Sequence, residues 1–306
     1  MGAGHGHSHG PPASGHAGAR HRTRLASVFA LTAAFFFVEL VVGLVSGSLA
    51  LISDAGHMAA DVVALGASLV ATRIATRPDR TGRRTYGSYR AEVFASGLTV
   101  LIMLGVGVYV VVEAVGRLGH TPRVVSGAML VVGLIGLVVN VASMLVLRSG
   151  SRESLNMRGA YFEVVADAAG SVGVIVAGAL IAVTGQPVWD VVVALLIAVF
   201  VLVRALTLGR QVLAVLGQHA PEGIDPEAVA VSLGSIDGVS QVHDLHLWAL
   251  TSGMNVATAH LVAAAQSDHH GVLDSARDVL REEYGIAHAT LQVEPSDHHG
   301  CQDIAW

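Results

Sequence analysis

The chain has 306 residues, of which 53% are hydrophobic and only 13% charged, with a mean hydropathy of +0.61. Soluble domains carry about 25% charged residues, so most of this chain is expected to lie in lipid, and its formal net charge of −5 offers nothing to nucleic acid. A single cysteine, Cys301, excludes an intramolecular disulfide and a cysteine-only zinc site, whereas 16 histidines direct attention to metals.

Residues 1–22 contain Gly4-His5-Gly6-His7-Ser8-His9-Gly10, followed by His16 and His21. Glycine-rich chain has no core to build, so this stretch is expected to be a flexible tail that collects transition metals weakly. Residues 23–212 form the expected membrane domain. Its apolar runs are Leu25–Val45, Leu49–Ala71, Val93–Val115, Val124–Leu147, Ala160–Val183 and Val188–Leu208. A hydrocarbon core of ~30 Å needs roughly 20 helical residues, so each run predicts a transmembrane helix and the fold class is α-helical membrane protein with six spans.

Arginine placement orients these spans. Arg20, Arg22 and Arg24 precede the first, Arg73 to Arg90 cluster between the second and third, and Arg148, Arg152 and Arg158 lie between the fourth and fifth. The opposite side holds only Arg117 and Arg123. By the positive-inside rule both termini are cytoplasmic.

Residues 213–296 change in character. Asp225-Pro226 predicts an N-cap and first helical position, with Val229, Leu233 and Ile236 continuing at helical spacing. Val239–Leu250 and Met254–Ala263 predict strands joined by a turn at Thr251–Gly253. Val272, Ala276, Val279 and Leu280 mark a second helix and Ala289–Glu294 a third strand. The order αββαβ describes a small α+β domain. Residues 297–306 form a short tail, whose His298, His299 and Cys301 stand with His288 as a second cluster, read as ordinary surface residues ahead of a metal site.

The two halves of the membrane domain repeat one another. His57 and Asp61 lie in the second span; Glu163 and Asp167 lie in the fifth, both 106 positions after their counterparts. Residues at i and i+4 share a helix face. If the two spans touch, one imidazole and three carboxylates enclose one point, the ligand number of a tetrahedral divalent site. An unpaired charge in lipid costs at least ~2.5–3.5 kcal/mol by insertion scales. Two such pairs in a 3+3 repeat therefore argue for a cation site at the repeat interface over simple helix–helix hydrogen bonds.

Other polar residues read more plainly. Asp54 either extends the cation pathway or caps the second span, and Asn140 suits a helix–helix hydrogen bond. Asp190, beside the interfacial anchor Trp189, reads as a cap. Glu39 and Glu113 read as helix contacts or a water-facing wall, and Arg204 is expected to snorkel towards the cytoplasmic interface. In the α+β domain His243 and His246 face opposite sides of a regular strand. A regulatory metal site there pairs His243 or His246 with His260 on the next strand, with Glu294 or Gln292 approaching from the third.

Residues Gly47 to Asp61 (Gly-Ser-Leu-Ala-Leu-Ile-Ser-Asp-Ala-Gly-His-Met-Ala-Ala-Asp) resemble the second-span signature of the cation diffusion facilitators. Tyr86 to Glu92 resemble their third-span entry; Val242 to Trp248 and Thr290 to Glu294 resemble their cytoplasmic domain. The likeness runs from about Arg20 to Glu294 and is closest to the zinc-exporting bacterial branch. It implies a homodimer of six-span protomers in the bacterial inner membrane, a ferredoxin-like cytoplasmic domain and exchange of metal for protons. It also implies that His57, Asp61 and Asp167 are transport ligands. The zinc branch usually has His where this chain has Glu163, a change that makes the site harder and more negative. Zinc remains the expected cargo, ahead of iron, manganese, cobalt and cadmium, with no organic cofactor. No catalytic role is expected: the chain has no HExxH, and without lysine it cannot form a GxxxxGK[ST] loop. The rival reading is a membrane metal sensor that binds without transport.

Overall fold

In the computed structural model the described backbone covers residues 17–75, 83–117, 124–148, 155–251 and 253–296, with side chains described throughout except at 17–25, 64–65, 67–75 and 155–160. The expected metal-collecting histidines His5, His7, His9 and His16, and the cluster His298, His299 and Cys301, lie outside the described residues. The helices are α1 (Ala17–Ser46), α2 (Leu49–Ala75), α3 (Ala91–Arg117), α4 (Ser126–Arg148), α5 (Leu155–Thr184), α6 (Val188–Leu216), α7 (Pro226–Gly234) and α8 (His269–Glu282). The strands are β1 (Val239–Thr251), β2 (Met254–Ala263) and β3 (His288–Glu294). The chain divides into two compact units, Met1–Leu65 with Thr99–Ala205, and Gly66–Leu98 with Leu206–Trp306.

Among the described residues five helices are long and apolar enough to cross a membrane: Ala26–Ser46, Ala91–Arg117, Ser126–Arg148, Tyr161–Thr184 and Val188–Leu216. The remaining expected span is α2, a continuous helix of 27 residues whose later side chains lie largely outside the described set. Two boundaries differ from the sequence reading. Helix α1 begins at Ala17, inside the stretch expected to be flexible, and α6 continues past the expected domain boundary at residue 212 to Leu216. The α1 extension carries Arg20, His21 and Arg22, and α6 runs on through the polar pair Arg210-Gln211; in both places the helix keeps its own hydrogen bonds where the apolar signal is interrupted.

Helix α4 shows how lipid shapes these elements. Its buried stripe, Met129, Val132, Gly133, Gly136, Asn140, Ser143 and Leu147, recurs at three- and four-residue intervals. The opposite face exposes Val131, Leu134, Ile135, Val138 and Leu145, a patch that water would not tolerate but acyl chains match. Small residues on the buried stripe let neighbouring backbones approach. A β-carbon at Gly133 would lie 2.8 Å from Ile175 of α5. Asn140 donates to Ser171 of α5 at 3.3 Å, the interhelical bond expected of it.

Asp190 does cap a helix, but not its own. Fully buried in the first turn of α6, it accepts from Ser48 Oγ at 2.6 Å and from the backbone N–H groups of Leu49 and Ala50 at 2.7 and 3.0 Å. Those donors open α2, where a helix has free N–H groups and a partial positive charge. Arg117 stands 3.6 Å from Asp190 and donates to the carbonyl of Gly47 at 2.7 Å. One carboxylate thus starts the helix that carries His57 and Asp61.

The C-terminal element order is the αββαβ expected. Asp225 caps α7 by accepting from the Glu227 N–H at 3.1 Å, and Asp268 caps α8 in the same way through His270. The sheet runs β1-β2-β3, with β1 and β2 antiparallel and β2 and β3 parallel. Val229 and Leu233 of α7 and Val272, Ala276 and Leu280 of α8 pack with Ala257, Ala259 and Leu261 of β2. Because side chains alternate along a strand, His260 and Thr258 belong to the other face of the sheet.

Asp190→Ala should strand the donors that open α2, at a cost of about 2–4 kcal/mol. A thermal melt in detergent should show a lowered midpoint, and a melt unchanged from native would remove Asp190 from this role.

Candidate metal centres

The side chains of His57 and Asp61 on α2 meet that of Asp167 on α5. Their ligating atoms all lie within 4.8 Å of one another. His57 Nε2 is 3.8 Å from Asp61 Oδ2 and 3.7 Å from Asp167 Oδ1. Those separations are too long for hydrogen bonds but suit ligands about to share an ion: donors ~2.0–2.1 Å from a tetrahedral zinc stand roughly 3.3 Å apart. His57 and Asp167 are 2% and 3% exposed, so water reaches them poorly. Both His57 ring nitrogens, Asp61 Oδ2 and Asp167 Oδ1 are buried without a hydrogen-bond partner among the described residues. Buried polar atoms are normally paired, so this arrangement fits a divalent cation as the missing partner. The edge of the His57 ring contacts Phe200 of α6, with centroids 5.7 Å apart.

Glu163, the fourth expected ligand, is one turn from Asp167 but outside this group. Its Oε1 accepts a hydrogen bond from Arg204 of α6. The same guanidinium nitrogen lies 3.5 Å from Asp61 Oδ1. Arg204 therefore does not reach for the interface as expected but turns inward to two acidic residues. The signal in the sequence was a lone arginine within the apolar run of α6. Its direction depends on Glu163, which sequence reasoning assigned to the metal.

Two more carboxyls are buried nearby. Glu39 of α1 and Asp54 of α2 are 0% and 2% exposed, and both Glu39 carboxyl oxygens and Asp54 Oδ1 are without a hydrogen-bond partner among the described residues. Asp54 cannot be the cap of α2, because Ser48 and Asp190 serve that end. Gly170 of α5 leaves room for its carboxyl, where any β-carbon would collide with it. Glu113 pairs with Arg117 at 3.1 Å, one turn along α3.

The α+β domain holds a second group. His243 of β1, His260 of β2 and Glu294 of β3 bring their ligating atoms within 4.8 Å of one another. Glu294, 4% exposed, places one carboxylate oxygen 3.3 Å from His243 Nε2 and the other 2.9 Å from His260 Nδ1. Gln292 donates to Glu294 at 2.9 Å and so supports this carboxylate rather than entering the group. His246 is not in it either: its Nε2 lies 2.9 Å from Asp244 Oδ1. The other oxygen of Asp244 is 3.7 Å from His260, a neighbour that sequence reasoning missed.

One expectation fails here for an instructive reason. His243 pairs with His260 and His246 with Thr258, so β1 advances three residues while β2 advances two. The additional residue makes a bulge, with Asp244 at φ +50°. Regular alternation would put His243 and His246 on opposite faces; the bulge returns both to the face of His260.

A set of lipid-facing helices that presents an imidazole and two carboxylates to one point, in a chain with a separate α+β domain carrying a His/His/Glu group, defines a membrane protein that handles divalent metal ions. The chain belongs to the cation diffusion facilitator family: residues 25–216 match the cation efflux transmembrane domain and residues 221–296 the cytoplasmic domain of cation efflux proteins. It is 41% identical over 295 residues to the metal cation efflux system protein CzcD of Cupriavidus metallidurans, covering 96% of this chain and 90% of that one. It is 35% identical to the zinc transporter ZitB of Escherichia coli, covering 96% and 94% of the two chains. A cadmium, cobalt and zinc/H(+)-K(+) antiporter of Bacillus velezensis is 31% identical, with 96% and 93% covered.

The left-handed conformation of Asp244 makes the bulge sensitive to side-chain branching. Asp244→Val should destabilise the domain by about 1–2 kcal/mol, whereas Asp244→Gly should retain native backbone stability. Parallel thermal melts decide it: equal midpoints for the two variants would mean the strand carries no such constraint.

Proposed function

We propose that this protein is an efflux transporter of divalent cations, with zinc its main cargo, and that it exchanges the metal for protons across the bacterial inner membrane. The observation that carries this reading is the convergence of His57, Asp61 and Asp167 from two helices on one buried point, with ligand atoms that lack other partners. The relatives' names add support, since they include metal efflux, zinc transport and an antiporter. One imidazole and two carboxylates make a mixed donor set that accepts zinc and also the cadmium and cobalt named for the Bacillus relative.

The proton coupling follows from ligand chemistry. A metal binds only deprotonated carboxylates and a neutral imidazole, so loading sheds protons and protonation ejects the ion. Helices α1 to α6 act as six spans in an inverted 3+3 repeat, with both termini and the ferredoxin-like domain cytoplasmic, an orientation that the arginine distribution supports. Two copies associate, a reading that the match of residues 221–296 to the cytoplasmic domain of cation efflux proteins supports. His243, His260 and Glu294 form a separate regulatory metal site, with His246 and Asp244 at its edge.

Proteoliposomes loaded with a zinc-sensitive dye and a pH reporter test this directly. Native protein should admit zinc while protons leave, and His57→Ala or Asp167→Ala should slow entry by at least ~100-fold, as expected for removing a metal ligand. Zinc entry without proton movement would refute antiport; binding without entry would favour the sensor. The second site is read by equilibrium dialysis. Asp167→Ala should still retain zinc, and adding His260→Ala should remove that remainder. Full retention in the double variant would exclude the His/His/Glu group.

A further inference from the structure

We propose that Glu163 and Arg204 act as one ion pair that replaces a fourth ligand and sets the charge of the transport site, leaving His57, Asp61 and Asp167 to hold the cation. This rests on the transport reading above and specifies how its site is tuned. Three observations carry it.

The first is which oxygen faces what. Asp61 Oδ2 points towards His57 Nε2, at 3.8 Å, and has no hydrogen-bond partner among the described residues. Its other oxygen, Oδ1, faces Arg204 at 3.5 Å. The carboxylate is therefore shared: one oxygen is available to a metal and the other is held by a cation of the protein. The same guanidinium nitrogen is hydrogen-bonded to Glu163 Oε1, so a single group from α6 secures an acidic residue on each of the ligand-bearing helices.

The second is charge. Asp61, Glu163 and Asp167 contribute three negative charges and Arg204 one positive, giving −2 opposite a divalent ion. His57 is neutral when it ligates. Without Arg204 the loaded site would keep an uncompensated charge beside Asp61 and Asp167, whose side chains are 16% and 4% exposed, an arrangement that is expensive. Without Glu163 the site would fall one charge short of the metal.

The third is the nature of the cation. A guanidinium has five donors and no lone pair, and it does not lose its proton in proteins. It cannot become a ligand and cannot be titrated away as the metal site cycles through protonation. The pair is thus a constant charge in a site whose other acids exchange protons for metal. With three protein ligands, the fourth tetrahedral position is left to water or to a carboxylate's second oxygen.

A two-residue cycle on the full-length protein tests this, using zinc affinity by calorimetry in detergent and zinc flux in proteoliposomes. Arg204→Gln makes the site more negative; zinc should bind roughly three- to tenfold tighter, the range of a partly screened ion pair, with KM lowered and kcat lowered by slow release. Glu163→Gln should shift affinity by a similar factor in the opposite direction. The double variant restores −2, and both constants should return to within about twofold of native. If Glu163 is a ligand, the double variant will instead stay as weak as Glu163→Gln alone. If Arg204 only braces the helices, Arg204→Gln will lose folded protein or kcat without tighter binding, and Glu163→Gln will not rescue it. Either result overturns the proposal. The calorimetric arm needs no transport, so native protein that binds zinc without flux would refute the transport reading while the charge cycle is still decided.

Discussion

The constraint that organises the membrane half of this molecule is the cost of holding ionised side chains away from water. Hydrocarbon supplies neither hydrogen bonds nor dielectric screening, so each charge must find a partner within the protein or bind one. Asp190 is satisfied by the N–H groups that open α2 and by Arg117. Glu163 is satisfied by Arg204. Against these, the His57 ring nitrogens and the facing oxygens of Asp61 and Asp167 are left without hydrogen bonds among the described residues. Asp190 and Asp167 are both buried, so between these two it is the partners and not the burial that differ.

The same constraint connects the fold to the site. Asp190 fixes where α2 begins, and the helical period then determines the direction of every later side chain on it. His57 and Asp61 fall on one face because they are four residues apart. Small residues on α4 and α5 allow close packing, and α5 presents Asp167 to that face at 3.7 Å from His57. A change at the first turn of α2 would therefore be felt two turns later, at the ligands.

Much of this was legible in the sequence, because the governing signals are local and periodic. The i, i+4 spacing of His57 and Asp61, the 106-residue offset to Glu163 and Asp167, and the Asp225-Pro226 helix start each express a rule that needs no tertiary information. What escaped depended on a single neighbour or a single additional residue. Arg204 has two physically reasonable directions, outward to headgroups or inward to acids, and only the placement of Glu163 decides between them. Strand alternation failed at Asp244 because one inserted residue reverses the parity of everything after it. The end of α6 was misplaced because Arg210 and Gln211 interrupt the apolar run without interrupting the helix.

The two candidate metal groups also differ in what a cation would displace. In the α+β domain Glu294 is hydrogen-bonded to His243 at 3.3 Å while His260 Nδ1 is buried without a hydrogen-bond partner among the described residues, so an entering ion must displace one internal bond. In the membrane group the corresponding atoms stand 3.7–3.8 Å apart and bond to nothing described, so an entering ion displaces only protons or water. A transporter needs the second arrangement. Its ligands must gain from binding the ion and must have an alternative occupant of comparable worth when the ion leaves, and the proton is that occupant. In the α+β domain an ion must also break the contact between His243 and Glu294, so that group responds only when the ion outcompetes this bond.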